Sequence, residues 1–331
     1  MDNISLEAIE DAENRLAHLG LYLAVGAELE VFAHKGTQRT EDIDPDEILK
    51  RINEASPYTK ISYRFEKEET GHGQFELIQS HTYIGDNSNA PVSAKEAGLS
   101  LLWAQAFFSE KKNWEGTGID YFTMSPDLEQ NTGCGMHLNI SIVDESGNNL
   151  LHNKDLMETN LLNHTVNAIL TAQRRSFTDF IHDENELQIL QKANNCPKVL
   201  GIRLSKEEGS VRIAGDDTSL WVESRLSRSS TNPLLSLQAI CSCLCETIEK
   251  NTVPIVLLPA DTEKKFKHNE LPKTFKTSSS QKRLSKNDEI FPLPDGTYRK
   301  VIPTEIDLSQ HPLPDTAANF QPPCTEQYEF S

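Results

Sequence analysis

Long apolar runs are missing from this chain. No stretch of about eighteen apolar residues occurs in it, so no membrane-spanning helix is expected. The start, Met1-Asp2-Asn3-Ile4-Ser5, has neither the basic lead nor the apolar centre of a secretory signal. Basic residues are few beside acidic ones, 32 against 50, for a net charge of −18. A surface of that sign argues against nucleic acid and anionic membranes as partners. The six cysteines show no disulfide or zinc-finger spacing, and a reducing cytoplasm is the expected location. No internal repeat is apparent.

What remains is long enough for a sizeable core. A chain of 331 residues suits one catalytic domain with an appendage. Leu6, Ile9, Ala12, Leu16 and Leu19 make a helical stripe that stops at Gly20. Residues 21–33 read as a strand, and period-two alternation puts Glu28 and Glu30 on one face. Asp44-Pro45-Asp46 opens a helix to Ser56, with proline near its first turn. Two strands follow, over 59–68 and 73–79, and then one long helix over 90–114 with its aromatics inside. Residues 156–191 read as helical and 197–213 as strand. Asn232-Pro233 starts a helix to Glu249 whose Cys241, Cys243 and Cys245 do not share a face, which points to buried packing rather than a metal site. Past about Val256, Lys-, Ser- and Pro-rich segments suggest an extension with few core residues.

The chemistry centres on Gly133-Cys134-Gly135-Met136-His137. Its glycines suggest a tight turn, and Met136 to Val143 alternates as a half-buried strand with His137 at its mouth. Glu28, Glu30, Glu69, Glu76 and Glu223 each lie on or beside other β-type segments. Five carboxylates and one imidazole can hold hard divalent cations. Taken alone, Glu28 and Glu30 also read as solvated glutamates on an edge strand. His72, in a loop, is read as no ligand.

Together, Glu28-x-Glu30, Glu69-x-x-x-Gly73-Gln74-x-Glu76, Gly133-x-Gly135-Met136-His137 and Glu223-x-Arg225 ahead of Asn232-Pro233 resemble the glutamine synthetase family in order and internal spacing. The resemblance runs over residues 21–250. It implies an α+β fold whose curved, mainly antiparallel sheet forms a carboxylate-lined funnel backed by helices. It divides the chain into a catalytic domain, residues 1–255, and a polar extension, residues 256–331.

The resemblance also implies a site with two Mg²⁺ or Mn²⁺ ions and ATP. Glu30, Glu69 and Glu76 would hold one cation, and Glu28, His137 and Glu223 the other. Arg212 and Arg225 would act on phosphate and substrate as catalytic residues. Arg212, Asn139 and Ser141 would line the nucleotide. Crowded carboxylates repel one another, so removing Glu76 or Glu223 is expected to leave the metal-free protein as stable as before.

Several family positions are changed. Ile189 stands at the arginine for the substrate's α-carboxylate, Asn195 at the flap glutamate, and Glu207 and Trp221 at two further arginines. Thr132 replaces an asparagine, with Asn131 adjacent, and Asn139 replaces a histidine. Only twenty-seven residues precede Glu28, too few for the family's N-terminal β-grasp domain, so the family's ring oligomer is not expected. The first reading is an ATP- and Mg-dependent carboxylate–amine ligase with an altered substrate, acting through an acyl phosphate on a carboxylate or amine that includes bulky or protein-attached candidates. The alternatives are a catalytically inactive nucleotide- and metal-binding or interaction protein, and an ordinary glutamine synthetase completed by another chain.

Overall fold

The computed structural model describes residues 6–67, 71–83, 90–126, 132–151, 161–181, 184–194, 196–202, 209–215, 219–250, 289–292 and 298–301. Glu69, Asn131, Asn195 and Glu207, and most of the extension beyond Val256, lie outside these residues.

The organising strand is β1, Tyr22–Lys35. It begins after helix α1, Leu6–Ala17, whose Ile9, Ala12 and Leu16 are buried at helical spacing. Leu19, expected in the same stripe, is 55% exposed. The helix has already ended there, and Gly20 turns the chain with φ +73°. Further strands are β2 (Gln38–Arg39), β3 (Ile61–Lys67), β4 (Gln74–Tyr83), β5 (Tyr121–Thr123), β6 (Met136–Val143), β7 (Val199–Ile202), β8 (Gly209–Gly215) and β9 (Leu220–Ser224). They form one open sheet of order β3-β4-β1-β6-β9-β8-β7, with β2 and β5 added against β1. All pairs are antiparallel except β7 with β8. The expected mainly antiparallel α+β architecture is therefore present. Strands β10 (Glu289–Pro292) and β11 (Tyr298–Val301) pair only with each other.

Helices cover one side of the sheet. Helix α2, Pro45–Ala55, is capped by Asp44, whose side chain accepts from the Asp46 and Glu47 N–H groups. Helix α3, Ala94–Ser109, is shorter than the expected 90–114. Upstream, Val92 exchanges backbone hydrogen bonds with Val25 and His81, so sheet pairing claims that segment before Ser93 caps the helix. Downstream, Glu110 is extended and Lys111–Trp114 forms a separate 3-10 turn. The region expected as helical over 156–191 contains α4, Leu161–Arg175, and α5, Glu184–Lys192. Helix α6, Pro233–Glu249, is capped by Asn232, which accepts from Leu234 N–H at 3.0 Å. Its three cysteines are buried and free, as expected from their spacing.

The core is densest where α3 meets α6. Helix α3 is buried almost all round, and Gly98 lets the two helices approach closely. A Cβ at Gly98 would lie 2.6 Å from Leu234 Cδ2 and 3.0 Å from Leu237 Cδ1. Two buried glutamines tie helices to the sheet and its loops. Gln173 on α4 donates to the Ser210 carbonyl and Ser224 Oγ, both at 3.1 Å. Gln105 on α3 donates to the carbonyls of Ser229 and Thr231 at 2.7 and 2.8 Å. That second glutamine holds the β9–α6 loop in place. Overpacking the helix contact with Gly98→Val should therefore cost about 1–3 kcal/mol, read as a lower urea midpoint at unchanged m-value. An unchanged midpoint would show that α3 and α6 can move apart freely.

Candidate metal and phosphate site

Strand pairing alone brings the charged residues into a row. In an antiparallel pair, residues directly opposite each other share a face and interact. Glu76 on β4 faces Glu30 on β1, and Glu28 on β1 faces His137 on β6. Asn139 on β6 faces Glu223 on β9, which in turn faces Arg212 on β8. Alternation keeps these side chains on one face while Ala27, Leu29, Val31, Leu138 and Val222 are buried in the core. The paired carboxylates of β1 are thus on a central strand, and the edge-strand alternative falls away.

The donor atoms converge. One ligand atom from each of Glu28, Glu76 and His137 lies within 4.8 Å of the other two. His137 Nδ1 is 3.0 Å from Glu28 Oε2 and 3.2 Å from Glu223 Oε1, and its Nε2 is 4.0 Å from Glu30 Oε1. Glu30 is oriented through its other oxygen, which accepts from Gly135 N–H at 2.6 Å and Gln74 Nε2 at 2.9 Å. Asn139 Nδ2 donates to Glu28 Oε1 at 3.0 Å. The close trio draws on both of the expected ligand sets, Glu76 from one and Glu28 with His137 from the other.

Burial and charge act oppositely on these groups. Burial is the largest influence on Glu28 and pushes its pKa up. The His137 hydrogen bond and charge, with Asn139 and Arg212, outweigh it and bring Glu28 down to about 2. Burial pushes His137 down, but the Glu28 hydrogen bond and the charges of Glu223, Glu28 and Glu30 raise it to about 9. An imidazolium among carboxylates is the counter-charge this arrangement provides. The oxygen-rich donor set with a single imidazole suits a hard divalent cation.

Glu223 differs from its neighbours. It is fully buried, its Oε2 accepts from Arg212 Nε, and Arg225 Nε lies 3.2 Å from its Oε1. Both arginines expected to meet phosphate thus contact a carboxylate expected to bind metal. Ser141 also has a structural partner, since its Oγ donates to the Leu220 carbonyl at 2.8 Å. Exposed His72 lies 3.1 Å from Glu41 and outside the cluster, as expected of a loop residue. Glu66, unnoticed in the sequence, faces Glu76 across β3–β4 and pairs with Arg64 at 3.3 Å.

The two glycines of the central motif require a different explanation from the one expected. Neither Gly133 nor Gly135 has a positive φ. A Cβ at Gly133 would collide with Cys196 Sγ at 2.3 Å, and one at Gly135 would crowd His137 Nε2 at 3.1 Å and Glu30 Oε1 at 3.3 Å. Gly135 therefore keeps the space beside the cluster clear.

An open, mainly antiparallel sheet carrying a row of carboxylates around one histidine defines an α+β domain with a site fit for divalent cations. The chain belongs to the glutamine synthetase family: the model of the glutamine synthetase catalytic domain matches residues 115–289, more than half of the chain. That span includes His137, Arg212, Glu223 and Arg225, and it runs past Val256 into the stretch read as an extension. Among curated relatives, gamma-glutamylputrescine synthetase PuuA of Escherichia coli (strain K12) is 24% identical over 210 residues, covering 63% of this chain and 42% of the relative. A cryo-EM structure of Plasmodium falciparum glutamine synthetase superposes with TM-score 0.58 at 15% identity, over 76% of this chain and 56% of that one. A GmaS/ADP complex gives TM-score 0.58 at 20% identity, over 81% and 65%. The chain thus spans less than two thirds of the length of each of these proteins. Among the described residues no helix is long and apolar enough to cross a membrane.

Removing Glu76 and removing Glu223 should now differ, contrary to the expectation that both are harmless without metal. Glu76→Gln should leave the metal-free melting temperature within a degree or so. It should abolish stabilisation by Mn²⁺, which at about a hundred times its Kd adds about 2.7 kcal/mol to a binding protein. Glu223→Ala leaves Arg225 buried without its counter-ion and should cost about 3–5 kcal/mol even in EDTA. Equal melting of the two variants in EDTA would show that Glu223 is no more structural than Glu76.

Proposed function

We propose that this chain is an ATP- and Mg²⁺-dependent carboxylate–amine ligase whose substrate is not simply glutamate with ammonia, and that it works through an acyl phosphate. Membership of the glutamine synthetase family supplies the ligase class. The observation that carries the reading is the convergence of Glu28, Glu76 and His137, with Glu30 and Glu223 beside them. In this reading residues 1–255 carry the catalytic domain and residues 256–331 are an extension.

Glu28, Glu30, Glu76, His137 and Glu223, with Glu69 outside the described residues, are the groups that would hold two cations, Mg²⁺ or Mn²⁺. Such ions, when bound, neutralise the charge that otherwise keeps a carboxylate and a triphosphate apart. The protein's own part is to aim the ligands and to offer cations at the rim. Gln74 and Gly135 fix Glu30, and Asn139 fixes Glu28 while its Oδ1 remains without a hydrogen bond. Arg212, with a side chain 46% exposed, bonds Glu223 through Nε, which leaves its terminal nitrogens for a phosphate. Arg225, buried beside Glu223, orients that carboxylate and faces the pocket next to it. Ser141 supports the strand below the nucleotide position through Leu220.

The substrate departs from the family's because its recognition groups are changed. Ile189 offers no charge to an amino acid's carboxylate and packs on the core instead. An unpaired buried charge is costly, so a carboxylate cannot be held from the position of Ile189 as the resemblance would have it. A bulkier carboxylate or amine, including one attached to a protein, could present its reacting group and keep its bulk outside. The inactive binding protein is the second reading. It is favoured by the engagement of both Arg212 and Arg225 with Glu223, and ADP release with Mg²⁺ separates the two.

Calorimetry with ATP should show binding in Mg²⁺ or Mn²⁺ and almost none in EDTA. Similar affinity in both would remove the cluster from the nucleotide's site. With glutamate, ammonia and ATP·Mg²⁺, glutamine formation should stay far below about one turnover per second, the lower end of ordinary enzyme rates. Glutamine made at that rate or faster by the purified chain would overturn the altered substrate.

A further inference from the structure

Beside the carboxylate cluster lies a cavity of about 30 Å³, and its lining joins Glu30 and His137 to Arg225 and Arg228. A single water needs about 10–15 Å³ on this scale, so the space suits a group of carboxylate size rather than a whole amino acid. Leu190 is what α5 contributes to the lining, an apolar side chain. The charge on that wall comes instead from the loop between β9 and α6.

Arg228 is 2% exposed and firmly placed. Its Nε donates to the Cys134 carbonyl at 3.1 Å, and its backbone N–H donates to Thr231 Oγ1 at 3.0 Å. Gln105 holds the carbonyls of the adjoining Ser229 and Thr231. Yet its Nη1 is buried with no hydrogen-bond partner. Arg212 and Arg225 both have Glu223 as counter-ion; among the described residues no carboxylate lies within ion-pair distance of Arg228. An arginine does not shed its proton, and a buried charge without a partner is costly. The anion that answers this guanidinium is absent from the described chain, and the cavity beside it has room for one.

We propose that Arg228 is the specificity-determining receptor for a second carboxylate on the acceptor substrate. The acceptor's reacting carboxylate would lie toward Glu28, Glu76 and His137, and its other carboxylate would take Arg228 Nη1 in the cavity. The place of the reacting group rests on the ligase reading above; recognition of an anion by Arg228 rests on the cavity alone. A phosphate shares the charge, but a triphosphate is too large for the space, and a planar two-oxygen group fits it.

The test is calorimetry with glutarate, with its monocarboxylate counterpart valerate, and with inorganic phosphate. Each is titrated into the full chain, Arg228→Met and Arg228→Lys, with Mg²⁺ and a non-hydrolysable ATP analogue and again without them. Wild type should bind glutarate at least tenfold more tightly than valerate. Arg228→Met should lose that preference, and Arg228→Lys should recover part of it. A change in packing alone would weaken both ligands together and leave the preference intact. Absence of glutarate binding to wild type, or an unchanged preference in Arg228→Met, overturns the proposal. Tighter binding of phosphate than glutarate, lost in Arg228→Met, assigns the site to phosphate and overturns the carboxylate. Should Arg228→Met fail to fold, the Arg228 side-chain ¹⁵N signal of wild type, assigned through Arg228→Lys, must shift on adding glutarate; an unmoved signal is equally fatal. Glutarate preference without any ATP binding would sink the ligase reading and leave this one standing.

Discussion

Repulsion among like charges is the constraint around which this domain is built. Two unit charges about 4 Å apart interact by about 4 kcal/mol at a surface-like effective dielectric of 20. The sheet gathers Glu28, Glu30, Glu76 and Glu223 onto one face. Such a group persists only if something positive sits within it. In the protein by itself that role falls to His137 and to the guanidinium groups of Arg212 and Arg225. Each makes a short contact to a carboxylate, and together they leave the cluster balanced enough to fold yet still rich in oxygen donors.

The scaffold keeps that balance by rigidity. Strand β1 is paired on both sides along its central length, so Glu28 and Glu30 cannot swing apart without breaking two ladders. Behind it, the close contact of α3 with α6 at Gly98 and the bridging Gln105 and Gln173 connect the helical layer to the strands that carry Glu223 and to the loop that carries Arg228. The interior therefore serves the site directly. Residues that never meet a ligand decide where the ligand groups point.

The same reasoning separates two kinds of arginine. Arg212 and Arg225 are answered inside the protein, so both steady Glu223, Arg212 from a half-exposed position and Arg225 from a buried one. Arg228 has no carboxylate partner among the described residues, and it lines a cavity of about 30 Å³. Ile189 on α5 carries no charge, yet the pocket is not without positive groups. The positive charge in its lining comes from Arg225 and Arg228, on the loop between β9 and α6.

Much of this was legible in residue order. The patterns of Tyr22–Lys35 and of Met136–Val143 mark strands, which are buried on most of both faces rather than half-buried, and the Glu-x-Glu and Gln-x-Glu spacings follow the strand period. The caps at Asp44 and Asn232 are equally local, since a side chain there reaches N–H groups two or three residues on. Tertiary structure decided the rest. Helix α3 starts at Ala94 because Val92 before it pairs with the sheet, although the Ser93 cap beside it is a local signal. A side chain at Gly133 would meet Cys196 and one at Gly135 would crowd Glu30, both distant in sequence, and neither glycine has a positive φ. Glu223 became partly structural through Arg212, eleven residues away on the facing strand. Arg228 is one of several basic residues in that part of the sequence, with Lys192, Arg203 and Lys206, and its buried nitrogen without a hydrogen-bond partner is what singles it out. Strand period and helix caps are short-range properties, whereas burial and ion pairing depend on which distant residues share the same few ångströms.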